Sequence, residues 1–222
     1  MLFPIVICDN FFDDPDSVAK FGKSLPYKKG TKINGIPGVR TDSLHLVDKE
    51  FFMWLTKKSL KLIYPTKDVG FVADGRFQKI PVNLDHDGWV HVDKPSELTA
   101  VIYLSKHTDT GISFYKTKKP QDQGDKQRLK FEYYYNPDMS KEKLKEIEEA
   151  KKLNNDLFEE TVNVKGLYNR IVIFDSSIYH GAHVFKGKKS DDDRFIMVNI
   201  IYSVFDETGT QIKYPVSESK RM

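Results

Sequence analysis

The segment Gly88-Trp89-Val90-His91-Val92-Asp93-Lys94-Pro95 sets a histidine and an aspartate two residues apart. That spacing serves a metal only on an extended backbone, where side chains alternate faces and positions i and i+2 point the same way. An imidazole nitrogen and a carboxylate oxygen then converge on one point. With a second histidine from elsewhere they complete a two-histidine, one-carboxylate facial triad, which suits non-haem Fe(II) and leaves three coordination positions open for a co-substrate and dioxygen. Taken alone, the pair is a weak signal, because a hydrogen-bonded strand end is the ordinary alternative.

The downstream text supplies the strands such a site needs. Leu98-Thr99-Ala100-Val101-Ile102-Tyr103-Leu104 is a run of β-branched and aromatic residues. Tyr168-Asn169-Arg170-Ile171-Val172-Ile173-Phe174-Asp175 gives another, continuing into Ser176-Ser177-Ile178-Tyr179-His180-Gly181-Ala182-His183. A polar loop from Lys186 to Asp193 separates these from a final strand, Arg194-Phe195-Ile196-Met197-Val198-Asn199-Ile200-Ile201-Tyr202.

This order of motifs resembles the 2-oxoglutarate- and Fe(II)-dependent dioxygenases, specifically the prolyl-hydroxylase-like branch, over roughly residues 71 to 205. The resemblance implies a mainly β fold with flanking helices around a double-stranded β-helix, a jelly-roll, cupin-like core. It assigns His91, Asp93 and His180 as iron ligands and catalytic residues. His180 is preferred because a glycine follows it, and His183, nearer to Arg194, stays open as the alternative. Arg194 is implied to bind the distal carboxylate of 2-oxoglutarate, since a planar guanidinium fork matches a carboxylate in a way lysine does not. The other reading pairs Arg194 with Asp191, Asp192 or Asp193 at the surface. Tyr103 is implied to donate its phenol to the same carboxylate, or else to be a core tyrosine. The cofactors implied are Fe(II), 2-oxoglutarate as co-substrate and O2, with ascorbate as a candidate reductant.

Alternation along the last strand puts Ile196, Val198 and Ile200 on the face of Arg194 and turns Asn199 away. Thr99 and Val101 share the face of Tyr103. Trp89 is expected to pack beside the metal, and Arg40 to reach the substrate mouth. His86, in turn-like text with no carboxylate two residues on, is the weaker ligand candidate.

At 222 residues the chain fits one domain. The 39% hydrophobic content, with 15 Phe and 11 Tyr, suffices for a sizeable core. Basic and acidic residues nearly balance, 35 against 32, so no footprint for constitutive nucleic-acid binding appears. Cys8 is the single cysteine, no run reaches the length of a membrane span, and the apolar start lacks a basic leader region. A reducing cytoplasm is the expected setting.

An N-terminal region, residues 1–70, is expected to hold a strand over residues 2–8 and a helix that starts at Asp14-Pro15 and runs through Val18, Phe21 and Leu25. A loop over Lys28–Gly38 and a second helix over Glu50–Tyr64 complete it. The core spans 71–205 and carries a charged insertion, 116–161, with a helix from Ser140 to about Glu159 whose apolar face is Leu144, Ile147, Leu153, Leu157 and Phe158. This insertion is either a solvated surface element or a lid over the substrate mouth. Residues 206–222 form a tail.

The resemblance implies hydroxylation coupled to decarboxylation of 2-oxoglutarate to succinate. Retention of Asp93 favours hydroxylation over halogenation, because halogenating relatives replace that carboxylate. The substrate is a small molecule or a peptide, a prolyl or other amino-acid side chain being the nearest analogue. A reading from another class is a cupin-like module that binds a metal or ligand without turnover. The oligomeric state is not legible.

Overall fold

The computed structural model describes residues 5–29, 38–80, 88–106, 110–118, 140–183 and 194–212. Its central strands form because their apolar runs are buried on both faces, and β10 (Arg194–Phe205) is the clearest case. Phe195, Met197 and Ile201 point to a core shared with helices, while Ile196 and Val198 point to a second core between two sheets. A strand with both faces covered reads as continuous hydrophobic text.

β10 pairs antiparallel with β4 (Gly70–Ile80) on one side and β5 (Leu98–Tyr103) on the other. Around them lie β1 (Ile5–Cys8), β2 (Lys28–Lys29), β3 (Val39–Arg40) and β8 (Ile171–Asp175), in the order β1-β8-β5-β10-β4-β3-β2. The smaller sheet has the order β7-β6-β9, from β7 (Phe158–Lys165), β6 (Gly111–Thr117) and β9 (Tyr179–His183). The two sheets enclose Ile80, Val101, Tyr103, Ile112, Phe114, Val164, Val172 and Phe174. This is the double-stranded β-helix, a jelly-roll core.

Helices cover the outer face of the larger sheet. Helix α1 (Pro15–Ser24) begins where Asp14 accepts from the Ser17 amide at 3.0 Å. After α2 (Leu44–Val47), helix α3 (Lys49–Lys61) starts at Asp48, whose carboxylate accepts from the Phe51 amide at 2.9 Å. Phe77 of β4 lies between these layers, stacked on Phe195 at 5.6 Å and on Phe51 at 6.4 Å. Asn199 faces the helices, donating to Thr56 Oγ1 at 3.0 Å, as alternation requires.

The insertion differs from its sequence reading. Helix α4 (Lys141–Asn155) does start at the Ser140 cap, but it stops short of Glu159. Phe158 instead opens β7, paired with Thr117 of β6, so both ends of the expected insertion are strands of the smaller sheet. Pairing and the burial of Phe158 and Val164 override helical propensity there. Leu153 does not join an apolar face: it is 66% exposed, while Ile147, Lys151 and Asn154 are buried. The loop expected over Lys28–Gly38 likewise contains a strand pairing, Lys28 with Arg40. His86, the whole Lys186–Asp193 loop and residues 119–139, on which the lid reading turns, lie outside the described residues. No helix among the described residues is long and apolar enough to cross a membrane.

Phe77→Ala should cost about 3–5 kcal/mol, because a fully buried ring leaves a cavity between α1, α3 and β10. Urea unfolding should show a lower midpoint with an unchanged slope.

Candidate metal centre

Residues 88–91 run beside β9 as an additional, irregular strand. The Gly88 amide donates to the Ala182 carbonyl at 2.8 Å, and His91 and His180 exchange both backbone hydrogen bonds at 2.8 and 2.9 Å. Gly88 is required by closeness: a Cβ there would stand 2.7 Å from the Ala182 nitrogen. His91 and His180 are therefore directly opposed across a hydrogen-bonded pair, with ring centroids 4.5 Å apart. The Asp93 amide donates to the Ser176 carbonyl at 2.8 Å, which carries the chain on so that the carboxylate meets both rings.

His91 Nε2 lies 3.4 Å from Asp93 Oδ1, and His180 Nε2 lies 3.2 Å from Asp93 Oδ2. The three ligand atoms are all within 4.8 Å of one another. The opposite ring nitrogens fix how both rings are turned. His91 Nδ1 is 2.7 Å from the Trp89 carbonyl oxygen, and His180 Nδ1 is 2.8 Å from that of Ile178. A carbonyl oxygen only accepts, so each Nδ1 carries a hydrogen and each ring turns its Nε2 toward Asp93. A cation bound between them would take both Nε2 lone pairs and a carboxylate oxygen. The donor set, two nitrogens and one oxygen, matches a facial site for a divalent transition metal.

Asp93 is held further by Thr99, whose hydroxyl donates to Oδ2 at 3.0 Å and contacts Ser176 Oγ at 2.8 Å. Burial pushes the Asp93 carboxyl pKa up, but attraction and hydrogen bonding from His180 and His91 outweigh it and leave the group well below the usual carboxylate range. Phe174 closes the site from below, its ring 4.6 Å from that of His180.

Of the two candidate histidines, His180 is in the cluster and buried. His183 is not. Three positions along β9 it falls on the opposite face, its Nδ1 3.9 Å from Glu160 Oε2. Trp89 is buried, and its carbonyl holds the His91 ring. Arg40 donates to Gln78 Oε1 at 2.9 Å from β3.

Arg194 stands at the start of β10 and is buried, only 3% exposed. Its Nη2 donates to the Gly111 carbonyl at 3.2 Å, and its guanidinium carbon lies 5.5 Å from the Tyr103 ring centroid. Burial pushes the Arg194 pKa down and the Tyr103 pKa up, each opposed by the other's proximity. The Tyr103 and Thr110 hydroxyls are enclosed and make no hydrogen bond within the described residues. Gly166 makes room for that tyrosine, since a Cβ there would come within 2.5 Å of its ring. The inner wall thus presents one cation and two hydroxyls in a dry setting, bordered by Ile196 and Val198.

The sequence reading missed the residues that hold the first ligand strand from its other side. Asn155, at the end of α4, accepts from the Val90 amide and donates to the Gly88 carbonyl, both at 3.0 Å. Asn154 donates to the Val90 carbonyl at 3.1 Å. Two side-chain amides therefore substitute for a neighbouring strand immediately before His91. An Asn-Asn pair at a helix end carries no sequence signal for this. Thr99 was placed on the correct face, but its bond to Asp93 depends on where the 88–93 segment lies.

The chain belongs to a family of unknown function, DUF6445, whose model matches residues 3–195. Its fold is that of the 2-oxoglutarate-dependent Fe(II) oxygenases. The epimerase SnoN from nogalamycin biosynthesis, described as non-haem and α-ketoglutarate dependent, is 9% identical with a TM-score of 0.57, over 91% of this chain and 80% of that one. HygX from Streptomyces hygroscopicus, solved with nickel and 2-oxoglutarate, is 11% identical with a TM-score of 0.54, over 89% and 82%. A 2OG-Fe(II) oxygenase family oxidoreductase from Burkholderia pseudomallei is 9% identical with a TM-score of 0.50, over 89% and 84%. No curated protein matches the chain in sequence.

His180→Ala should weaken Co(II) binding, followed by the visible d–d spectrum, roughly a hundredfold or more, while His183→Ala leaves it unchanged; losses outside the ligand shell already cost about 10–100-fold. Asn155→Ala should fall in that lower range, raising the Co(II) dissociation constant about tenfold. The exposed neighbour variant Leu153→Ala should match the parent protein.

Proposed function

We propose that this chain is an Fe(II)- and 2-oxoglutarate-dependent dioxygenase that hydroxylates a small-molecule or peptide substrate, a prolyl or other amino-acid side chain being the nearest analogue. The observation that carries the reading is the convergence of two Nε2 atoms and one carboxylate, with both Nδ1 hydrogens tied to backbone carbonyls. When bound, iron, 2-oxoglutarate and O2 supply an oxidant for an unactivated C–H bond, with 2-oxoglutarate released as succinate and carbon dioxide.

The chain's own groups have the following parts. His91 and His180 hold the metal as neutral donors, and Asp93 offsets one of its charges. A retained carboxylate favours hydroxylation, since a halide would need that coordination position. Thr99 keeps Asp93 turned toward the metal. Arg194 pairs its guanidinium with the distal carboxylate of 2-oxoglutarate, and Tyr103 and Thr110 have the enclosed hydroxyls to donate beside it. Val101, Ile196 and Val198 exclude water along the path between these groups. The likeness of fold to HygX, which was solved with nickel and 2-oxoglutarate, supports this assignment.

Anaerobic addition of Fe(II) and then 2-oxoglutarate should raise a visible charge-transfer band. His91→Ala should abolish it, and Arg194→Ala should raise the 2-oxoglutarate concentration needed by about 30-fold or more, the scale of losing one partner of a buried charged pair. Admission of O2, with ascorbate to keep iron reduced, should yield succinate. A folded protein that shows the band and never forms succinate would instead be a ligand-binding module.

A further inference from the structure

The inner face of the larger sheet has two unlike halves. Register places Thr99, Val101 and Tyr103 of β5 beside Ile200, Val198 and Ile196 of β10, and these beside Asp74, Arg76 and Gln78 of β4. Between Thr99 and Tyr103 the β5–β10 half is apolar. The β4 half is charged. Residues of the other parity on β4, Phe71, Ala73 and Phe77, belong to the helix-side core, so Asp74 and Arg76 face the same interior as the metal cage.

Arg76 Nε donates to Asp74 Oδ2 at 2.7 Å, and Arg76 Nη1 donates to the Thr41 carbonyl at 3.2 Å. These bonds fix the pair and leave two atoms over. Among the described residues, Asp74 Oδ1 is enclosed without a hydrogen-bond partner and Arg76 Nη2 has none either. An enclosed carboxylate oxygen without a donor is costly, and more so than a neutral acceptor. Oδ1 itself is covered, but the rest of the pair is open: the side chains of Asp74 and Arg76 remain 26% and 35% exposed, and Val72, on the same face, opens to solvent.

We propose that the Asp74–Arg76 pair is the substrate-recognition subsite and that it takes the head group of a free α-amino acid, with the ammonium on the Asp74 carboxylate and the carboxylate on Arg76 Nη2. A zwitterion carries the two opposite charges one carbon apart, which suits an anionic acceptor and a cationic donor side by side. Asp74 lies in one transverse row with Ile200 and Thr99, two strand spacings or about 10 Å from the threonine that supports Asp93. That separation matches the span of one amino-acid side chain, lying along Ile200 and Val198, between the head group and the cage. This inference rests on the function proposed above and narrows its substrate class.

The test uses the full chain loaded anaerobically with Co(II) and 2-oxoglutarate. A change in the cobalt d–d spectrum on adding 2-oxoglutarate checks the functional reading first. The common L-amino acids, their N-acetyl derivatives and their methylamides are then compared by paramagnetic broadening of their proton signals. One or more free amino acids should be broadened, and both blocked forms should lose the effect. Asp74→Asn and Arg76→Gln should each weaken binding roughly tenfold or more while the 2-oxoglutarate response and the melting temperature hold. A normal 2-oxoglutarate response with no amino acid broadened would overturn the subsite and leave the functional reading standing. So would equal broadening by blocked and free forms, or by parent and Asp74→Asn protein. A cobalt spectrum indifferent to 2-oxoglutarate would sink the functional reading and this inference with it.

Discussion

The structure depends on the fixed approach of two imidazoles to one carboxylate. Each imidazole is tied through Nδ1 to a backbone carbonyl two residues earlier, which turns its Nε2 toward Asp93. Attraction and hydrogen bonding from both rings hold that carboxylate ionised, and the three ligand atoms stand within 4.8 Å of one another. A scaffold must keep them at that distance whether a hydrogen or a cation links them. The rest of the molecule supplies the scaffold.

Rigidity comes from redundancy around residues 88–93. One edge of this segment is bonded to β9, and the other is held by the amides of Asn154 and Asn155. Its far end is tied to Ser176, and through Asp93 to Thr99. Thr99 in turn sits on β5, in the middle of a sheet whose next strand, β10, is covered on both faces. Positional error in a ligand is thereby transmitted to a core that yields little, since packed interiors have few voids into which to relax. The charged stretch that separates β6 from β7 is part of this system, because its helix delivers the two asparagines.

Much of this was legible in the residues. His91 and Asp93 announce their shared direction by a spacing of two, and the last strand announces an apolar face in Ile196, Val198 and Ile200. Asn199 and Arg194 fall on opposite faces by parity alone. The misreadings have a common cause. Phe158 and Leu157 look like the last turn of an amphipathic helix, and only the partner strand β6 decides that Phe158 is extended. Leu153 looks like core and is exposed, whereas Asn154 looks like surface and is buried, because what faces that end of α4 is a row of backbone amides and carbonyls rather than apolar side chains. Polar burial of this kind is invisible to hydrophobic periodicity.

The sequence by itself determined the alternation of faces, the presence of every metal-ligating residue type and a β-rich fold able to bring distant segments together, because these follow from local geometry with a period of two. It preferred His180 to His183 only on the glycine that follows it, and kept His183 as the alternative. Tertiary structure decided between them: the antiparallel register that sets His91 opposite His180 turns His183 to the far face. It alone also decided that Asn155 closes on the first ligand strand and that Asp74 shares a row with Thr99. Register is a relation between strands, and no single strand's residues contain it.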